Sequence, residues 1–383
     1  MPDFTLTDEQ SSIQRLAHEF AQKEIVPVAE HYDRTAEFPW PIVKKAHEVG
    51  LMNPGIPTKY GGSGLKIFDE LLIDEELSWG CAGIAASLTL NNVAALPIIM
   101  AGSEEQKKKY LGRLAVDQEM TAYAVTEPDA GSDAGAIQTK AERHGNDYIL
   151  NGTKQFITNA SVANFYIVFA VTDRSAERPS ISAFIVEREW PGVSPGRKDD
   201  KMGQRASNTA QLILEDVRVP KENLLGGEGE AFKIAMHTFD RSRPGTGILA
   251  VGVARRALEE AVKYAGERKT FGVLLGQHQA IQFKIADMAM DIEAARWLCW
   301  NAGWLVDQNR RNSRQASMAK CFAADMAVRV TCEAVQIFGG YGYIKDYVVE
   351  KLYRDAKVFQ IYEGTSEIQR SIIARDILRP GGS

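Results

Sequence analysis

The spacing of apolar residues changes twice along the 383-residue chain, and these changes predict three domains. In residues 1–118 apolar residues recur every three or four positions, which is the spacing of helices that bury one face. Residues 119–228 hold short runs of β-branched and aromatic residues between turn residues, which predict strands. The helical spacing returns in residues 229–383. We therefore expect an α+β protein with an N-terminal all-α domain, a middle β-barrel or sandwich, and a C-terminal four-helix bundle.

Local signals place elements inside these domains. Residues 7–10 and 103–106 have the Ser/Thr-x-x-Gln pattern that begins a helix. Gly145-Asn146 and Asn151-Gly152 predict turns between strands, and Pro244 predicts an interruption or kink in the first helix of the C-terminal domain. The predicted strands are residues 147–150, 154–158, 165–170, 181–186 and 211–214.

Composition excludes several classes of protein. A net charge of -5 gives no concentrated basic surface for phosphate, so we expect no nucleic-acid partner. No apolar run looks long enough to span a bilayer, and residues 1–4 begin neither a signal nor a transit peptide. A bacterial cytoplasmic protein is expected, or a mitochondrial matrix protein in trimmed form. The four cysteines lie in helical apolar patterns without metal-ligand spacing, which predicts reduced core thiols and no metal site.

Residues 361–370 (IYEGTSEIQR) set a single acidic residue, Glu363, in a break between two helical segments. Thr365 or Ser366 is expected to cap the following helix, and Gln369 would complete a capping box with Ser366. Burial in this turn would raise the pKa of the Glu363 carboxyl group, whereas the following helix N-terminus would oppose the rise. The residues alone allow both an exposed acid in a helix joint and an acid–base group.

Four further segments combine polar groups with glycine, and each also has an ordinary structural explanation. Residues 123–133 (YAVTEPDAGSD) offer backbone N–H groups and hydroxyls to a heterocycle and a pyrophosphate, or form a plain strand-to-loop connection. Residues 268–272 (RKTFG) end a helix, where an arginine commonly offsets the helix dipole. Residues 336–340 end another helix with glycines that admit a ligand or cap the helix. Residues 240–244 place charges in an apolar helix, and these charges indicate either a solvated face or a ligand site.

Together and in this order, these segments resemble the acyl-CoA dehydrogenase family, most closely its medium-chain and short-chain members. The resemblance covers essentially the whole chain and depends on the segments YAVTEPDAGSD, GERKTFG, QIFGGYGY and IYEGTSEIQR. It implies a β-barrel as the middle domain and an FAD enzyme of fatty acid β-oxidation. The implied reaction oxidises a straight-chain acyl-CoA of short to medium length to trans-2-enoyl-CoA. Electrons would pass to an electron-transferring flavoprotein, and the protein would be a homotetramer, a dimer of dimers.

The resemblance also implies roles for individual residues. Glu363 matches the base that removes the α-proton while a β-hydride passes to flavin N5, and its backbone N–H would bind the thioester oxygen. The residues implied to hold the flavin ring, pyrophosphate or adenosine are Tyr123, Val125, Thr126, Gly131, Ser132, Phe156, Thr158, Thr365 and Glu367. Those implied to reach the FAD of a neighbouring subunit are Arg268, Thr270, Phe271, Gln279, Gln336, Gly339 and Gly340. The implied substrate positions are Ser132, Asp240, Arg243, Tyr362 and Gly364.

The chain departs from the family pattern at four places. Phe156 stands where many members have tryptophan, and Glu367 stands where glutamine is common. Branched-chain and long-chain members carry their base at the position of Ser242, so no second carboxylate competes with Glu363. Residues 85–89, at the implied base of the acyl pocket, are smaller than in medium-chain members and suggest a deeper tunnel.

Two other hypotheses remain open at this point. The same fold could serve an acyl-CoA oxidase or a dehydrogenase of carrier-bound acyl groups, which oxygen consumption measured against dye reduction would separate. The chain could also be a flavin-binding assembly protein without catalysis, although intact Glu363 and Arg243 argue against it.

Overall fold

A computed structural model describes residues 5–173 and 180–378, so residues 1–4, used above for the compartment prediction, lie outside the described part. Helices at both ends of the chain flank a central sheet, and the predicted three-domain class is confirmed. The helices before the sheet are α1 (Asp8–Phe20), α2 (Ala29–Thr35), α3 (Trp40–Glu48), α4 (Ile67–Gly80), α5 (Ala82–Ala101), α6 (Glu104–Gln106) and α7 (Gly112–Ala115). Both predicted capping boxes are present, at Thr7 with Gln10 and at Ser103 with Gln106.

Helix α5 corrects the expectation about membrane-spanning runs. By length and composition alone it could cross a membrane, with a mean hydropathy of 1.7 over its most apolar window. However, 72% of that window is buried inside the protein, as expected for the central helix of a packed domain. It is the one such helix among the described residues.

The central sheet wraps around its own apolar side chains. Its strands are β1 (Thr121–Ala124), β2 (Lys140–His144), β3 (Asp147–Thr158), β4 (Phe165–Asp173), β5 (Ser180–Glu187), β6 (Val193–Lys198), β7 (Thr209–Pro220) and β8 (Leu224–Leu225). They are hydrogen-bonded in the order β6-β7-β3-β2-β4-β5-β8, and β1 pairs with β4 in parallel. One core cluster gathers residues from β1 to β5 and β7, which requires a strongly curved sheet as in a barrel.

The two predicted turns in the sheet have different outcomes. Gly145-Asn146 joins β2 to β3 as a two-residue hairpin, because His144 pairs with Asp147. Asn151-Gly152 is not a turn, since β3 runs through it and the register against β7 shifts there instead. A Cβ atom on Gly152 would lie 2.4 Å from Thr139 Oγ1, so glycine permits this bulge to pack closely.

Strands β4 and β5 are buried on both faces. Tyr166 and Phe184 face the interior of the curved sheet, whereas Phe165 and Ile185 pack in a second core cluster against the N-terminal helices. Tyr110 belongs to that second cluster and its ring lies 4.9 Å from the ring of Phe165. The sheet therefore depends on the N-terminal domain to cover its outer face.

The helices after the sheet form the predicted bundle. They are α8 (Ala231–Glu267), α9 (Gln279–Asp307), α10 (Ser313–Phe338), α11 (Val348–Ala356) and α12 (Ser366–Leu378), with a small hairpin of β9 (Lys269–Thr270) and β10 (Val273–Leu274) between α8 and α9. Helix α8 continues through Pro244, so of the predicted interruption or kink the interruption is excluded. A proline leaves the carbonyl four residues earlier without its helical donor, and here Asn312 Nδ2 donates to Asp240 O at 2.7 Å.

The cysteines also depart from prediction at one position. Cys81, Cys299 and Cys321 are buried thiols, but Cys332 is exposed on α10. The apolar spacing of that helix places Thr331 and Ala334 inside, and Cys332 falls on the outer face.

A buried ion pair joins the three domains. Lys351 Nζ lies 2.5 Å from Asp355 Oδ2 and 3.2 Å from Cys81 Sγ, while Asp355 Oδ1 accepts a hydrogen bond from Gln204 N at 2.5 Å. Burial lowers the pKa of Lys351, but the nearby Asp355 carboxylate outweighs it and the pKa lies above its usual range. Gln204 Nε2 in turn donates to Tyr362 Oη at 3.5 Å, which links this pair to the Glu363 turn.

Candidate active site

A cleft of about 430 Å³ lies where the three domains meet. Helix α5, the loop after β1, the end of β3, helix α8 and the turn before α12 all contribute to its wall. Eleven of the predicted site residues line it: Tyr123, Val125, Thr126, Gly131, Ser132, Phe156, Thr158, Arg243, Tyr362, Glu363 and Gly364. Segments far apart in the sequence are therefore brought to one site.

The turn that carries Glu363 has an unusual backbone. Glu363 has a φ of 57° and Gly364 a φ of 89°, both in the left-handed region. For a glutamate this conformation costs about 1–2 kcal/mol, so the surroundings must hold it. Gln369 Nε2 donates to Glu363 O at 3.1 Å and to Gly364 O at 3.0 Å, and Lys320 Nζ donates to Gly364 O at 2.6 Å.

The cap of α12 differs from the predicted capping box. Thr365 Oγ1 accepts from Ile368 N at 3.3 Å and so caps the helix. Ser366 Oγ instead donates to Asp325 Oδ1 at 2.9 Å, and the Gln369 side chain turns back to the Glu363 turn. The residues that follow Glu363 thus serve to fix the turn.

The Glu363 carboxylate is partly buried and has one hydrogen-bond donor among the described residues. Ser242 Oγ donates to Glu363 Oε2 at 2.7 Å. Burial raises the pKa of Glu363, while the Ser242 hydrogen bond and the positive charges of Arg243 and Lys320 oppose the rise. Burial lowers the pKa of Lys320 to about 8. The site therefore holds an acid whose affinity for a proton is increased, the property required of a general base.

Another part of the cleft wall presents an exposed aromatic side chain. The Phe156 side chain is 63% exposed there, and its φ of 58° turns it out of β3. The neighbouring loop is fixed by Lys154, whose Nζ donates to Val125 O at 3.1 Å and to Glu127 Oε1 at 2.7 Å. Burial lowers the pKa of Lys154 to about 8, against the attraction of Glu127.

The seven residues expected to reach a neighbouring subunit do not line the cleft within the described chain. The Arg268 guanidinium lies 5.7 Å from the centre of the Tyr341 ring. Tyr341 directly follows Gly339 and Gly340 in the chain. Thr270 Oγ1 is 3.0 Å from His278 Nε2. Arg268, Phe271, Gln279, Gln336, Gly339 and Gly340 are exposed. These residues, with Thr270, Tyr341 and Tyr343, form what we call the distal face.

Three other predicted residues lie beside the cleft. Asp240 Oδ2 accepts from Ser313 Oγ at 2.5 Å, and Asp240 Oδ1 is 3.9 Å from Arg243 Nη1. Thr365 caps α12, and Glu367 is exposed in its first turn. Their roles remain predictions.

Sequence reasoning missed three residues that hold Glu363. Ser242, Lys320 and Gln369 all donate to this turn, but none of these contacts was predicted. Ser242 had a signal, since it lies among charged residues in an apolar helix, and Gln369 had one as the expected partner of Ser366 in a capping box. Lys320 is fully buried, and nothing in its local sequence distinguishes it from a solvated lysine.

A second, smaller cavity of about 30 Å³ lies beyond Ser242. Leu90 and Val93 line both cavities, and Glu70 and Asp74 of α4 line the smaller one. In the stretch expected to form the base of the acyl pocket, Thr89 lines this cavity, whereas residues 85–88 are packed in the core. Of this stretch only Thr89 borders a cavity, and the deeper tunnel stays a prediction.

An acid in a ligand-sized cleft between two helical domains and a curved sheet defines an enzyme that binds a large organic ligand. Family models for the acyl-CoA dehydrogenase N-terminal, middle and C-terminal domains match residues 7–118, 122–217 and 229–378. The chain belongs to the acyl-CoA dehydrogenase family, and is an oxidoreductase of fatty acid metabolism.

Named relatives and solved structures agree with this assignment. The chain is 47% identical over 379 residues to the probable acyl-CoA dehydrogenase YngJ of Bacillus subtilis, covering 98% of this chain and 100% of that protein. It is 44% identical over 378 residues to a probable medium-chain specific acyl-CoA dehydrogenase, mitochondrial, of Caenorhabditis briggsae, covering 98% and 92%. Butyryl-CoA dehydrogenase of Megasphaera elsdenii superposes with a TM-score of 0.96 at 43% identity, covering 99% and 100%.

Two other solved structures bear on the cofactor and the electron partner. A structure described as the FAD complex of PigA superposes with a TM-score of 0.94 at 31% identity, covering 98% of this chain and 99% of that one. A chain from a study of the electron transferring flavoprotein of Acidaminococcus fermentans superposes with a TM-score of 0.96 at 48% identity, covering 99% and 100%. The enzyme is FAD-dependent, as predicted. The exposed Phe156 ring and the open space at Gly131, where an added Cβ would meet nothing within 4 Å, suit a flat, extended cofactor.

Proposed function

We propose that the enzyme oxidises straight-chain acyl-CoA thioesters of short to medium length to trans-2-enoyl-CoA, with Glu363 as the base. The observation that carries the proposal is the Glu363 carboxylate, which faces the cleft from a fixed, left-handed turn and has a raised pKa. A thioester α-proton is only modestly acidic, so a positioned carboxylate with increased proton affinity suits its removal.

The turn would also stabilise the negative charge that develops on the thioester oxygen. The Glu363 backbone N–H makes no hydrogen bond to the described part of the chain and is therefore available to that oxygen. Preorganised donors of this kind contribute strongly to catalysis because they need not reorganise during the reaction. FAD, when bound, would supply the acceptor for the hydride of the β-carbon. Arg243 and Tyr362 would position the substrate on the Glu363 side of the cleft.

We assign the flavin site to the cleft residues of the β1 loop and the end of β3. Tyr123, Val125, Thr126, Gly131 and Ser132 would hold the flavin ring and pyrophosphate, and Phe156 and Thr158 would lie beside the ring. Ser132 would also contact the CoA. Thr365 and Glu367 would lie near the adenosine, and Asp240 would act through its contact with Arg243.

The chain-length proposal is tested by anaerobic titration of the FAD-loaded enzyme with saturated acyl-CoAs from C4 to C16. We expect bleaching of the flavin absorbance by short and medium chains, because the cavity beyond Ser242 has room for only about 30 Å³. The butyryl-CoA dehydrogenase neighbour supports a short chain. Bleaching by C16 alone would contradict the length assignment, and bleaching by none would contradict the function.

We propose an electron-transferring flavoprotein as the electron acceptor. The neighbour from the study of such a flavoprotein supports this proposal. Oxidation of the reduced enzyme by the flavoprotein, with little oxygen consumption, is the expected result. Rapid oxygen consumption would support the oxidase hypothesis instead. The bacterial relatives favour a bacterial cytoplasmic location, and the mitochondrial relative keeps the matrix as the alternative.

The distal face is proposed as a subunit contact in a homotetramer, a dimer of dimers. Phe271 is 98% exposed and Tyr343 is 87% exposed, and such aromatic side chains gain free energy when an interface covers them. A neighbouring subunit would thereby bring Arg268, Gln279 and Gln336 to its FAD. The site would then be complete only in the oligomer.

Replacing Phe271 with aspartate should therefore weaken the tetramer and its hold on FAD. We expect a smaller mass by light scattering and at least a severalfold rise in FAD dissociation, because a charge would be buried at the contact. Val116→Asp, which changes another exposed apolar residue, is the control. A tetramer with unchanged FAD affinity would exclude Phe271 from the contact.

Ser242→Ala should shift the acid limb of the pH profile. Ser242 donates to the Glu363 carboxylate and so stabilises its charged form, and without that bond the pKa of Glu363 rises further. The base is then protonated at higher pH, and kcat/KM on the acid side should fall roughly 10- to 100-fold, since a hydrogen bond to a charged group contributes about 1.5–3 kcal/mol. An unchanged pH profile of kcat/KM would show that this bond does not tune the base.

A further inference from the structure

The smaller cavity beyond Ser242 has an acidic wall. Glu70 and Asp74 are four residues apart on α4, so their side chains lie on the same face of the helix. Both line this cavity, together with Thr89 and Asn92 of α5. Neither acid is among the residues that the proposed reaction uses.

The polar atoms of this wall are short of donors. Asn92 Nδ2 donates to Glu70 Oε2, but Asn92 Oδ1 has no hydrogen-bond partner although the residue is only 9% exposed. Thr89 Oγ1 also lacks a partner. The Asp74 carboxyl group makes no hydrogen bond or ion pair with any described residue. Buried polar atoms in native proteins normally have a partner, so two unpaired buried atoms beside the half-buried Asp74 carboxyl group point to a ligand that supplies hydrogen-bond donors.

Both carboxyl groups of the cavity wall bind their protons more tightly than usual. Burial raises the pKa of Asp74 to about 8. Burial also raises the pKa of Glu70 well above its usual range, and the charges of Asp74, Asp307 and Asp69 raise it further. Arg241 is the cation among the lining residues, and its Nη1 donates to His237 O at 3.5 Å in an exposed contact. The two carboxyl groups therefore have no cationic partner in the described chain.

The cavity adjoins the main cleft. Leu90 and Val93 line both. Ser242 lines the smaller cavity and donates to Glu363, so the two sites are in contact through this side chain. An acyl group whose α-carbon lies at Glu363 can thus extend its far end toward Glu70 and Asp74.

We propose that this cavity receives the distal end of the acyl chain and selects acyl groups that carry a basic nitrogen there. The inference rests on the proposed function and names its substrate class. An ammonium group has three donors and no acceptor, which complements Asp74, Asn92 Oδ1 and Thr89 Oγ1. Its charge also stabilises the ionised carboxylate of Asp74. A methyl end would leave all three groups unpaired.

The kinetic test compares ω-amino-, ω-hydroxy- and unsubstituted acyl-CoAs of equal chain length with the FAD-loaded enzyme. We expect kcat/KM to be about tenfold or more higher for the amino compound, because a site built for N–H donors discriminates against ligands that lack them. Asp74→Leu should reverse this preference, and Asp74→Asn, which keeps the shape, should reduce it. Glu48→Gln alters an exposed acid away from the cavity and is the control.

A binding measurement separates this inference from the proposed reaction. Calorimetry with the Glu363→Gln variant reports affinity without turnover, and the amino compound should bind about tenfold tighter than the unsubstituted one. Equal or weaker binding of the amino compound, or a preference unaffected by Asp74→Asn, would overturn the inference. Tighter binding of the hydroxy compound would overturn the cationic assignment. If no acyl-CoA reduces the flavin, the proposed function fails, while the calorimetric comparison still decides the specificity of the cavity.

Discussion

Glu363→Gln should bind FAD normally and lose about 10²–10⁴-fold in the rate of flavin reduction by acyl-CoA, the usual contribution of a general base. The amide keeps the size of the side chain and still accepts from Ser242 Oγ, so the turn should stay intact. It cannot take the α-proton. The measurement is rapid-mixing observation of the flavin absorbance under anaerobic conditions.

The matched control for this variant is Glu142→Gln, which removes an exposed acid on β2. It should reduce its flavin at the rate of the unmodified enzyme. Flavin reduction at the full rate in Glu363→Gln would exclude this residue as the base. Loss of FAD from that variant would instead show that the turn has a structural role in cofactor binding.

Asp355→Ala should lower the free energy of unfolding by about 3–5 kcal/mol, because it leaves the Lys351 ammonium buried without its carboxylate. The same change removes the acceptor of Gln204 N, so the links between α11, the sheet and Tyr362 weaken together. Urea titration of the FAD-loaded protein, followed by tryptophan fluorescence, measures the loss.

The double variant Lys351→Met with Asp355→Leu distinguishes charge burial from lost packing. It removes both charges and should be more stable than Asp355→Ala, since apolar side chains often replace a buried ion pair at little cost. A double variant as unstable as the single one would show that the lost Gln204 contact, and not the unpaired Lys351 charge, accounts for most of the loss in the free energy of unfolding. A loss below about 1 kcal/mol in Asp355→Ala would contradict the role of the pair altogether.

Much of the fold follows from local sequence. The helical spacing around α9 and α10 and the capping boxes at Thr7 and Ser103 predict elements that the structure contains. Predictions failed where distant residues decide the outcome. Asn151-Gly152 has the composition of a turn, but pairing with β7 and contact with Thr139 make it a bulge. Pro244 has the signal of a helix break, but Asn312 supplies the missing donor from another helix.

The sequence predicted residues that line the candidate site, but not the residues that hold the Glu363 turn in place. Family motifs identify Glu363 and the loop around Gly131, because those residues are close together in sequence within each motif. Gln369 belongs to the motif but was expected to cap the following helix, not to hold the turn. Lys320 holds the turn from a position whose local sequence is ordinary, because only the packed helices bring it to Gly364 O. The acid pair Glu70 and Asp74 was missed for the same reason, since a helical i,i+4 spacing of acids normally indicates a solvated face.

Because α5 and the outer faces of β4 and β5 are buried against other segments, the order in which the chain is synthesised affects how long they stay exposed. Helix α5 leaves the ribosome long before α8, with which it and α4 pack. At about 5–20 residues per second, the roughly 150 residues between Ala101 and Ala257 take roughly 10–30 s to appear. During that interval a 20-residue apolar helix lacks part of its cover. The apolar residues of α5 are therefore partly exposed for a time. During that time a chaperone, or packing among the N-terminal helices alone, must keep the nascent chain from aggregating.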